Sequence, residues 1–281
     1  MKRTLILQLF MLFLILLGMG FMNKARISEV WSTSKDLKVP ESVMYDKENH
    51  IVYVANINGK PTEKNNMGFI SKVSLDGKIV ALKWVDGMNA PKGMGLKGNI
   101  LYVTDIDRIH VIDKNKGQII KTHDVSGAKF LNDIEIDSRG NVYITDMLTK
   151  KVLILKNNKV ATWIVLNEYS KPNGLFMEEP DLLVGTADGL LRINLNKKDI
   201  KMEIPNKGGI DGLKKVRKDE YIVSDWKGKT QLIGKNKHPI VLLDTTDKKI
   251  NAADLEYIPD KRLIIIPTFF DNRVMAYKLT Y

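Results

Sequence analysis

The 281-residue sequence contains no cysteine and only four histidines. The lack of cysteine excludes disulfide bonds, thiolate metal ligands, cysteine nucleophiles and iron–sulfur clusters. The histidines, none of which belongs to an HExxH or HxH pair, are His50, His110, His123 and His238. They offer little basis for a zinc site. Glycine and proline occur in ordinary amounts and 44% of the residues are hydrophobic, which excludes collagen-like, low-complexity and wholly disordered chains.

Arginine is also scarce. Only eight of the 44 basic residues are arginine, so the formal net charge of +11 comes mainly from lysine. Nucleic-acid recognition favours arginine clusters with interleaved aromatic residues, and we therefore expect a solvated, lysine-rich surface and no nucleic-acid partner. The tightest basic cluster, residues 214–218, falls where a turn is expected and is interpreted as surface.

The chain begins with a long hydrophobic run. Lys2 and Arg3 precede an apolar stretch over residues 5–22 that is interrupted only once by a polar side chain. This pattern is typical of a secretory signal, with cleavage expected after Gly20, but about 18 apolar residues are also just enough to span a bilayer. Residues 1–22 are therefore predicted to be a signal peptide or an N-terminal membrane anchor. Both alternatives export the rest of the chain to the periplasm or the extracellular space, with membrane contact only through residues 5–22 if the segment is not cleaved.

The remainder of the sequence is built from six repeats. Six segments align, with equivalent positions at residues 41, 92, 132, 173, 211 and 253. The intervals between these positions are 51, 40, 41, 38 and 42 residues, and a β-rich run ends 13 to 15 residues after each of them. Three to four short antiparallel strands repeated every ~40 residues are typical of a propeller blade. The sequence therefore predicts an all-β fold, a six-bladed β-propeller, as one domain over residues 25–281.

The way the ring closes can be predicted from the two ends of this domain. The last repeat supplies three strands and ends at Tyr281. We expect residues 25–32, which precede the first repeat, to add the fourth strand of the last blade, because this pairing removes an open sheet edge. We expect the closed propeller to be a monomer.

The repeat positions also define a candidate site. In a propeller the innermost strand of each blade lines the central channel, so equivalent positions form a ring around it. Here the ring reads Glu41, Lys92, Asn132, Asn173, Asp211 and Ala253. Two carboxylates and two amides from four blades form the ligand set of a hard cation. Ca²⁺ is favoured because Glu41 and Asp211 together neutralise it and a wide channel suits the larger ion, whereas Mg²⁺ is the alternative.

At these residues the chain resembles the SMP-30/gluconolactonase/LRE-like family of six-bladed propellers, which includes calcium-dependent lactonases and phosphotriesterases. The matching motifs, within a resemblance that spans roughly residues 37–281, are Pro40-Glu41-Ser42, Asn132-Asp133, Pro172-Asn173-Gly174-Leu175 and Asp211-Gly212-Leu213. The resemblance implies that Glu41, Asn173 and Asp211 bind the metal. It also implies that Asn132 is a further ligand or a substrate contact, and that Asp211 is the general base.

Two residues depart from the family pattern. Sugar lactonases of this family carry an arginine two residues before the Asn-Asp pair, where the chain has Phe130. An apolar or aromatic substrate is therefore more natural than a polyhydroxylated sugar acid, with Phe130 among the residues that contact it. Lys92 is unusual in the ring: it either binds a substrate anion or pairs with Glu41 and weakens the metal site. As a lysine it is expected to be exposed.

Other features are expected to have local roles. Asp105, Asp146 and Asp225 recur at the ends of second strands and are interpreted as turn caps, because a role repeated across blades is usually structural. The first repeat interval is the longest, and its surplus, residues 56–68, is either a lid over the metal site or a passive surface loop. Trp226 either forms a wall of the channel site or packs in the core.

The sequence leaves two functions open. The first is a Ca²⁺-dependent hydrolase of a small-molecule lactone or ester, in which the metal polarises the carbonyl group and Asp211 accepts a proton from the attacking water. The second is a non-catalytic exported propeller that binds a ligand or a protein, which the loss of the family arginine and the presence of Lys92 favour. The first function predicts that Asp211→Ala loses both calcium and hydrolysis.

Overall fold

A computed structural model describes residues 24–281, which form a ring of six β-sheets. Each sheet has four strands in antiparallel pairing. The predicted six-bladed β-propeller is confirmed. The predicted signal or anchor segment, residues 1–22, lies outside the described residues. Within residues 24–281, no helix combines the length and the apolar character that a membrane crossing requires.

The strands follow one another from the channel outward in every blade but the last. The described chain begins with β1 (Arg26–Ser32). Blade 1 contains β2 (Pro40–Asp46), β3 (Ile51–Asn56), β4 (Gly68–Ser74) and β5 (Ile79–Met88). Blade 2 contains β6 (Pro91–Lys97), β7 (Ile100–Asp105), β8 (Arg108–Asp113) and β9 (Gln118–Asp124). Blade 3 contains β10 (Leu131–Ile136), β11 (Val142–Asp146), β12 (Lys151–Lys156) and β13 (Lys159–Val165).

The second half of the ring repeats this order. Blade 4 contains β14 (Leu175–Glu178), β15 (Asp181–Gly185), β16 (Gly189–Asn194) and β17 (Ile200–Pro205). Blade 5 contains β18 (Leu213–Arg217), β19 (Glu220–Ser224), β20 (Lys229–Gly234) and β21 (Ile240–Asp244). Blade 6 contains β22 (Glu256–Ile258), β23 (Leu263–Pro267) and β24 (Val274–Thr280), with short 3-10 helices at Pro259–Lys261 and Phe269–Asp271.

The two ends of the domain meet in blade 6. Strand β1 pairs antiparallel with β24, so that Arg26 lies opposite Thr280 and Ser32 lies opposite Met275. The sheet order β1-β24-β23-β22 makes β1 the outermost strand. The predicted closure is confirmed, and it covers the edge that β24 would otherwise expose.

The second strands of the blades are short apolar runs because both of their faces are covered. All five residues of β23 are buried, as are all five of β19. Neighbouring blades pack against these strands from each side, which removes the alternation of polar and apolar residues expected of a half-exposed strand. The outer strand β5 shows the opposite pattern, with Val80 60% exposed.

The hydrophobic core lies between the blades. One cluster joins Val43 and Val54 of blade 1 to Leu263 and Ile265 of blade 6. Fully burying each such aliphatic side chain contributes roughly 1.5–3 kcal/mol, so these contacts hold the ring closed at the junction of its first and last blades. Truncating Ile265 to alanine would cost about 2–5 kcal/mol at this junction.

The interpretation of residues 214–218 as a surface turn holds only for Lys218, which is exposed and lies in a turn, and is wrong for residues 214–217. Most of this segment belongs to β18 (Leu213–Arg217), the innermost strand of blade 5. The lysines are tolerated in a strand that lines the channel because carboxylates lie close to them. Lys215 pairs with Glu178 of blade 4, and the charges of several carboxylates act on Lys214. One ion pair and the charges of carboxylates on other blades thus override the local preference of a basic run for a turn.

Candidate functional site in the central channel

Five of the six ring residues lie in the wall of one cavity. They are Glu41, Lys92, Asn132, Asn173 and Asp211. The cavity has a volume of about 390 Å³, which suits a small organic molecule. Ala253, at the sixth equivalent position, is buried outside the wall. The fold therefore brings together every residue that the sequence suggested as a metal ligand or general base, and Phe130 lies in the same wall.

Glycines after the ring residues let the inner strands approach one another. A Cβ atom on Gly174 would lie 2.2 Å from the backbone oxygen of Asp211, and one on Gly93 would lie 2.4 Å from that of Asn132. Real Cβ atoms do not come this close to backbone, so only glycine fits at these two positions. The absence of a side chain at Gly174, in the Asn173-Gly174 motif, thus allows blades 4 and 5 to approach each other closely.

Side-chain hydroxyls fix the backbone of the ring. Thr104 donates to the backbone oxygen of Asn132 over 2.5 Å, and Ser42 donates to that of Lys92 over 2.7 Å. Each of these bonds joins adjacent blades. The ring residues are therefore mounted on a hydrogen-bonded frame rather than on mobile loops.

Asn173 and Asp211 are in direct contact. The Asn173 Nδ2 atom donates a hydrogen bond to Asp211 Oδ1 over 2.7 Å, and the Asp211 side chain is buried. Burial, together with the charges of Asp133 and Asp225, raises the pKa of Asp211 to about 7, against the opposing effect of the Asn173 hydrogen bond. Asp211 thus combines the burial and the titration range of a proton acceptor near neutral pH.

Glu41 and Asn173 each keep one oxygen without a protein partner. Glu41 Oε2 and Asn173 Oδ1 are buried and accept no hydrogen bond from residues 24–281. Burial, followed by the charge of Asp211, holds the pKa of Glu41 well above its ordinary value, although the Lys92 ammonium partly offsets this. Buried oxygens are normally satisfied, so these two atoms are available to a bound cation or hydrogen-bond donor.

The residues fit an oxygen-coordinated cation. The unpartnered oxygens of Glu41 and Asn173 and the carboxylate of Asp211 lie in the same wall, and carboxylate and amide oxygens are the ligands that Ca²⁺ and Mg²⁺ take in proteins. Over residues 24–281 no group of three or more histidine, cysteine, aspartate or glutamate side chains has the arrangement of a metal site. A cation here would depend on two carboxylates supplemented by amide oxygens.

The expectation that Lys92 is exposed is wrong. Its side chain is only 1% exposed, and Nζ donates a hydrogen bond to the backbone oxygen of Ala90 over 3.0 Å. Nζ also lies 4.5 Å from the centre of the Phe130 ring, a cation–π contact. Burial lowers the pKa of Lys92 to about 8, although the Glu41 and Asp105 charges oppose the shift. Lysine can be buried here because the carbonyl group and the aromatic face replace water around the ammonium.

The remaining cavity wall is largely apolar. Trp226, which is 45% exposed, packs edge-to-face against the buried Phe269 with ring centres 5.4 Å apart. Both rings line the cavity, as do Met147 and Ile210. Trp226 therefore forms part of the wall and is not a core residue. A mostly apolar cavity with a few polar side chains is typical of small-molecule sites.

The long loop of the first repeat reaches the cavity. Ile57 and Pro61, both within the surplus segment 56–68, line the wall. Lys64 pairs with Asp107 of blade 2 over 2.5 Å, so the loop is fastened across the junction between blades 1 and 2. The loop over residues 56–68 therefore lies where a lid over the cavity is expected.

The aspartates at the ends of second strands have the structural role that was predicted, but Asp105 and Asp146 mainly hold a distant backbone segment rather than cap a turn. Asp105 accepts hydrogen bonds from the backbone N–H groups of Asn89 and Ala90, over 2.9 and 2.7 Å. Asp146 accepts in the same way from Lys129 and Phe130. Each carboxylate holds the segment that leads into its own blade's inner strand. Asp225 caps the turn that follows it, through the N–H groups of residues 228 and 229.

Further along the channel lies a second group of charged residues, the charged layer, which was not predicted from the sequence. It consists of Lys214, Glu256, Glu135, Asp254 and Asp133. Burial lowers the pKa of Lys214, but the charges of Glu256, Glu135, Asp254 and Asp133 outweigh it and leave that pKa raised. Burial raises the pKa of Glu135 to about 7, while Lys214 opposes the shift. Residues 135, 214 and 256 each stand three positions after a ring residue, so the repeat spacing contained a signal for this layer.

The comparisons with known proteins agree with this architecture. No protein-family model and no curated protein matches the sequence. The fold resembles a streptogramin B lyase at 12% identity, covering 91% of this chain and 98% of the other, with a TM-score of 0.66. It also resembles virginiamycin B lyase from Staphylococcus aureus, solved as a catalytically inactive histidine-to-alanine variant with quinupristin. The identity is 13%, the coverage is 92% of this chain and 100% of that chain, and the TM-score is 0.62.

A third similar structure is the extracellular domain of a protein described as a hybrid two-component system from B. thetaiotaomicron. It is 17% identical, with a TM-score of 0.57, and the match covers 85% of this chain and 34% of that one. At these identities the likeness shows the fold alone: the chain is a six-bladed β-propeller. Within the described residues, no histidine lines the cavity, so its chemistry depends on other side chains.

Proposed function

We propose that the chain is a hydrolase that opens a small lactone or ester in the channel cavity, as in the SMP-30/gluconolactonase/LRE-like family. The observation that carries the proposal is the meeting of Glu41, Asn173 and Asp211 in the wall of one cavity, where Glu41 Oε2 and Asn173 Oδ1 have no hydrogen-bond partner in the described part of the chain. These residues come from blades 1, 4 and 5, and the repeat alignment places them at equivalent positions.

Asp211 acts as the general base in this proposal. Its carboxylate takes one proton from a water molecule, whose oxygen forms a bond to the acyl carbon of the ester. The bond between the acyl carbon and the alkoxy oxygen then breaks, and the alcohol group receives the proton. Asn173 positions the carboxylate through its 2.7 Å hydrogen bond, which leaves Asp211 Oδ2 for the water.

A divalent cation, with Ca²⁺ favoured, is proposed to bind to Glu41, Asn173, Asp211 and Asn132. When bound it would polarise the carbonyl group of the ester and stabilise negative charge on its oxygen. Contacts between the blades, including the close approach at Gly174, fix the backbones of these four residues. Their side chains are therefore held in position for a cation. The apolar wall that includes Phe130 and Trp226 favours an aromatic or otherwise apolar substrate.

The experiment is a screen of aromatic and aliphatic lactones and esters with the purified protein, in CaCl₂ and in chelator. We expect turnover that requires calcium and a loss of about 100-fold or more in kcat for Asp211→Asn. Asp86→Asn, which changes an exposed aspartate on the outer strand β5, is the matched control and should keep full activity. Full activity of Asp211→Asn would overturn the assignment.

The second candidate is a non-catalytic propeller that binds a ligand. It is favoured by the buried Lys92, whose charge acts on Glu41 and competes with a cation for that carboxylate. Stabilisation by calcium without turnover of any lactone or ester would support this candidate. If calcium neither stabilised the protein nor supported turnover, a bound metal would have no part in either candidate function.

We further propose that the propeller is exported through residues 1–22 and works in the periplasm or outside the cell. The chain enters the propeller at β1, where Arg26 pairs with Thr280. Thr280 lies at one end of β24, whereas the other end of the strand follows Phe269, which lines the cavity. An uncleaved N-terminal anchor would therefore leave the cavity facing away from the membrane. Fractionation of cells that express the full chain tests the location.

A further inference from the structure

Three lysines of the described chain line the channel cavity, and none of them forms an ion pair with an acidic residue among positions 24–281. Lys92 lies in the buried part of the wall, while Lys171 and Lys227 are exposed. Across residues 24–281, no carboxylate oxygen lies within 4.0 Å of the ammonium groups of these three residues. The cavity thus carries three cationic groups that the described protein leaves available.

Lys92 is the most unusual of the three because it is almost completely buried. An ammonium group has three N–H donors, and the Ala90 carbonyl group accepts one of them. The Phe130 ring covers another side of the group, with its centre 4.5 Å from Nζ. Burying a lysine with unused donors is costly, so a bound acceptor would recover hydrogen bonds that the folded protein alone does not make.

The surroundings of Lys92 define the kind of acceptor. Phe130 lies against the ammonium, and Trp226 and Phe269 line the same cavity, which also contains the carboxylates of Glu41 and Asp211. No arginine of the described chain lines the cavity, and arginine forks are the usual partners of phosphate groups. A single buried ammonium beside aromatic rings suits a singly charged carboxylate attached to an apolar body.

We propose that the cavity binds an aromatic or apolar carboxylate, with the carboxylate group on Lys92 Nζ and the apolar body against Phe130, Trp226 and Phe269. Lys171 and Lys227, exposed on the same wall, attract the anion toward the cavity. If the chain is the proposed hydrolase, the anion site specifies its substrate class as a lactone or ester that carries a separate acid group. The anion site itself requires no turnover.

The test is calorimetric titration with 2-naphthoate and with its neutral counterpart 2-naphthylmethanol, both in chelator so that no metal can bridge the carboxylate. We expect 2-naphthoate to bind at least about 10-fold more tightly than the alcohol, a difference of ~1.4 kcal/mol. Lys92→Met should abolish this preference, whereas Lys218→Met, a change at an exposed lysine of blade 5, should keep it. Thermal unfolding of each variant checks that it is folded.

A second variant keeps the test decisive if Lys92→Met does not fold. Replacing Lys171 and Lys227 together by glutamine changes two exposed residues, and it should reduce the preference for 2-naphthoate by about 3-fold. Equal affinity of the wild type for the acid and the alcohol would overturn the proposal. A full preference in folded Lys92→Met would do the same.

The outcomes also separate this proposal from the hydrolase. A preference for 2-naphthoate that depends on Lys92, without hydrolysis of any ester, would support the anion site and contradict the enzyme. Calcium-dependent hydrolysis with no preference for acidic ligands would support the enzyme and contradict the anion site.

Discussion

Asn173 donates a hydrogen bond from Nδ2 to Asp211 Oδ1 over 2.7 Å, across the junction between blades 4 and 5. The contact joins two residues that are 38 positions apart in the sequence. It orients the Asp211 carboxylate and leaves Asn173 Oδ1 without a partner among the residues that the structure describes. One amide thus both positions the proposed base and offers an oxygen to a cation.

The geometry of this contact depends on Gly174. We predict that Gly174→Ala lowers the free energy of unfolding by about 2 kcal/mol, because the new Cβ would meet the backbone oxygen of Asp211 at 2.2 Å and push the blades apart. Chemical denaturation measures the loss. Gly234→Ala in β20, where the nearest atom would be the Glu220 side-chain Cγ at 3.1 Å, is the matched control and should cost less than half as much. Equal losses for the two variants would show that the approach of the inner strands is not tight at Gly174.

The charged layer of the channel predicts a cost for removing Lys214. The charges of Glu256, Glu135, Asp254 and Asp133 act on its ammonium, so Lys214→Met leaves an excess of negative charge in this layer. We predict a loss of about 2 kcal/mol in the free energy of unfolding at pH 7, measured by denaturant titration. Lys218→Met on the exposed side of the same basic cluster should change stability by less than about 0.5 kcal/mol. A Lys214 variant as stable as the wild type would contradict this account of the layer.

The same layer predicts how stability depends on pH. Burial raises the pKa of Glu135 from 4.5 to about 7, with Asp133 and Glu256 adding to the shift and Lys214 opposing it. Between these two values the folded state binds more protons than the unfolded state. The contribution of Glu135 is therefore complete below pH 4.5 and is lost as the pH rises through 7.

Glu135→Gln tests this dependence. The glutamine is neutral at every pH, so the free energy of unfolding should fall less steeply between pH 4.5 and 7 than in the wild type, as thermal melts across this range would show. Glu168→Gln, at an exposed position, should leave the slope unchanged. If the Glu135 variant retained the wild-type slope, the decline would have to come from other carboxylates.

The sequence predicted the fold because the propeller repeats its signals. The equivalent positions at Glu41, Asn173 and Asp211 could be aligned from local motifs, and a ring geometry then places them together without any side-chain detail. Closure through β1 could also be predicted, because the last repeat lacked a strand. These features depend on spacing along the chain, which a single sequence shows.

The features that could not be predicted depend on contacts between blades. Lys92 was expected at the surface, yet a backbone oxygen and the Phe130 ring bury it. Lys214 was expected in a turn, yet carboxylates of blades 3 and 6 allow it to lie in an inner strand. The burial of a lysine is decided by the groups around it in space, and local composition carries no record of them.

Calcium binding tests the central claim most directly. In calorimetric titration of the chelator-treated protein, we predict one Ca²⁺ per chain for the wild type and an affinity at least about 10-fold lower for Glu41→Gln, which removes one carboxylate charge from the wall. Glu168→Gln should bind as the wild type does. A wild-type protein that binds no Ca²⁺, or a Glu41→Gln variant with wild-type affinity, would contradict the claim that Glu41, Asn173 and Asp211 share one cation.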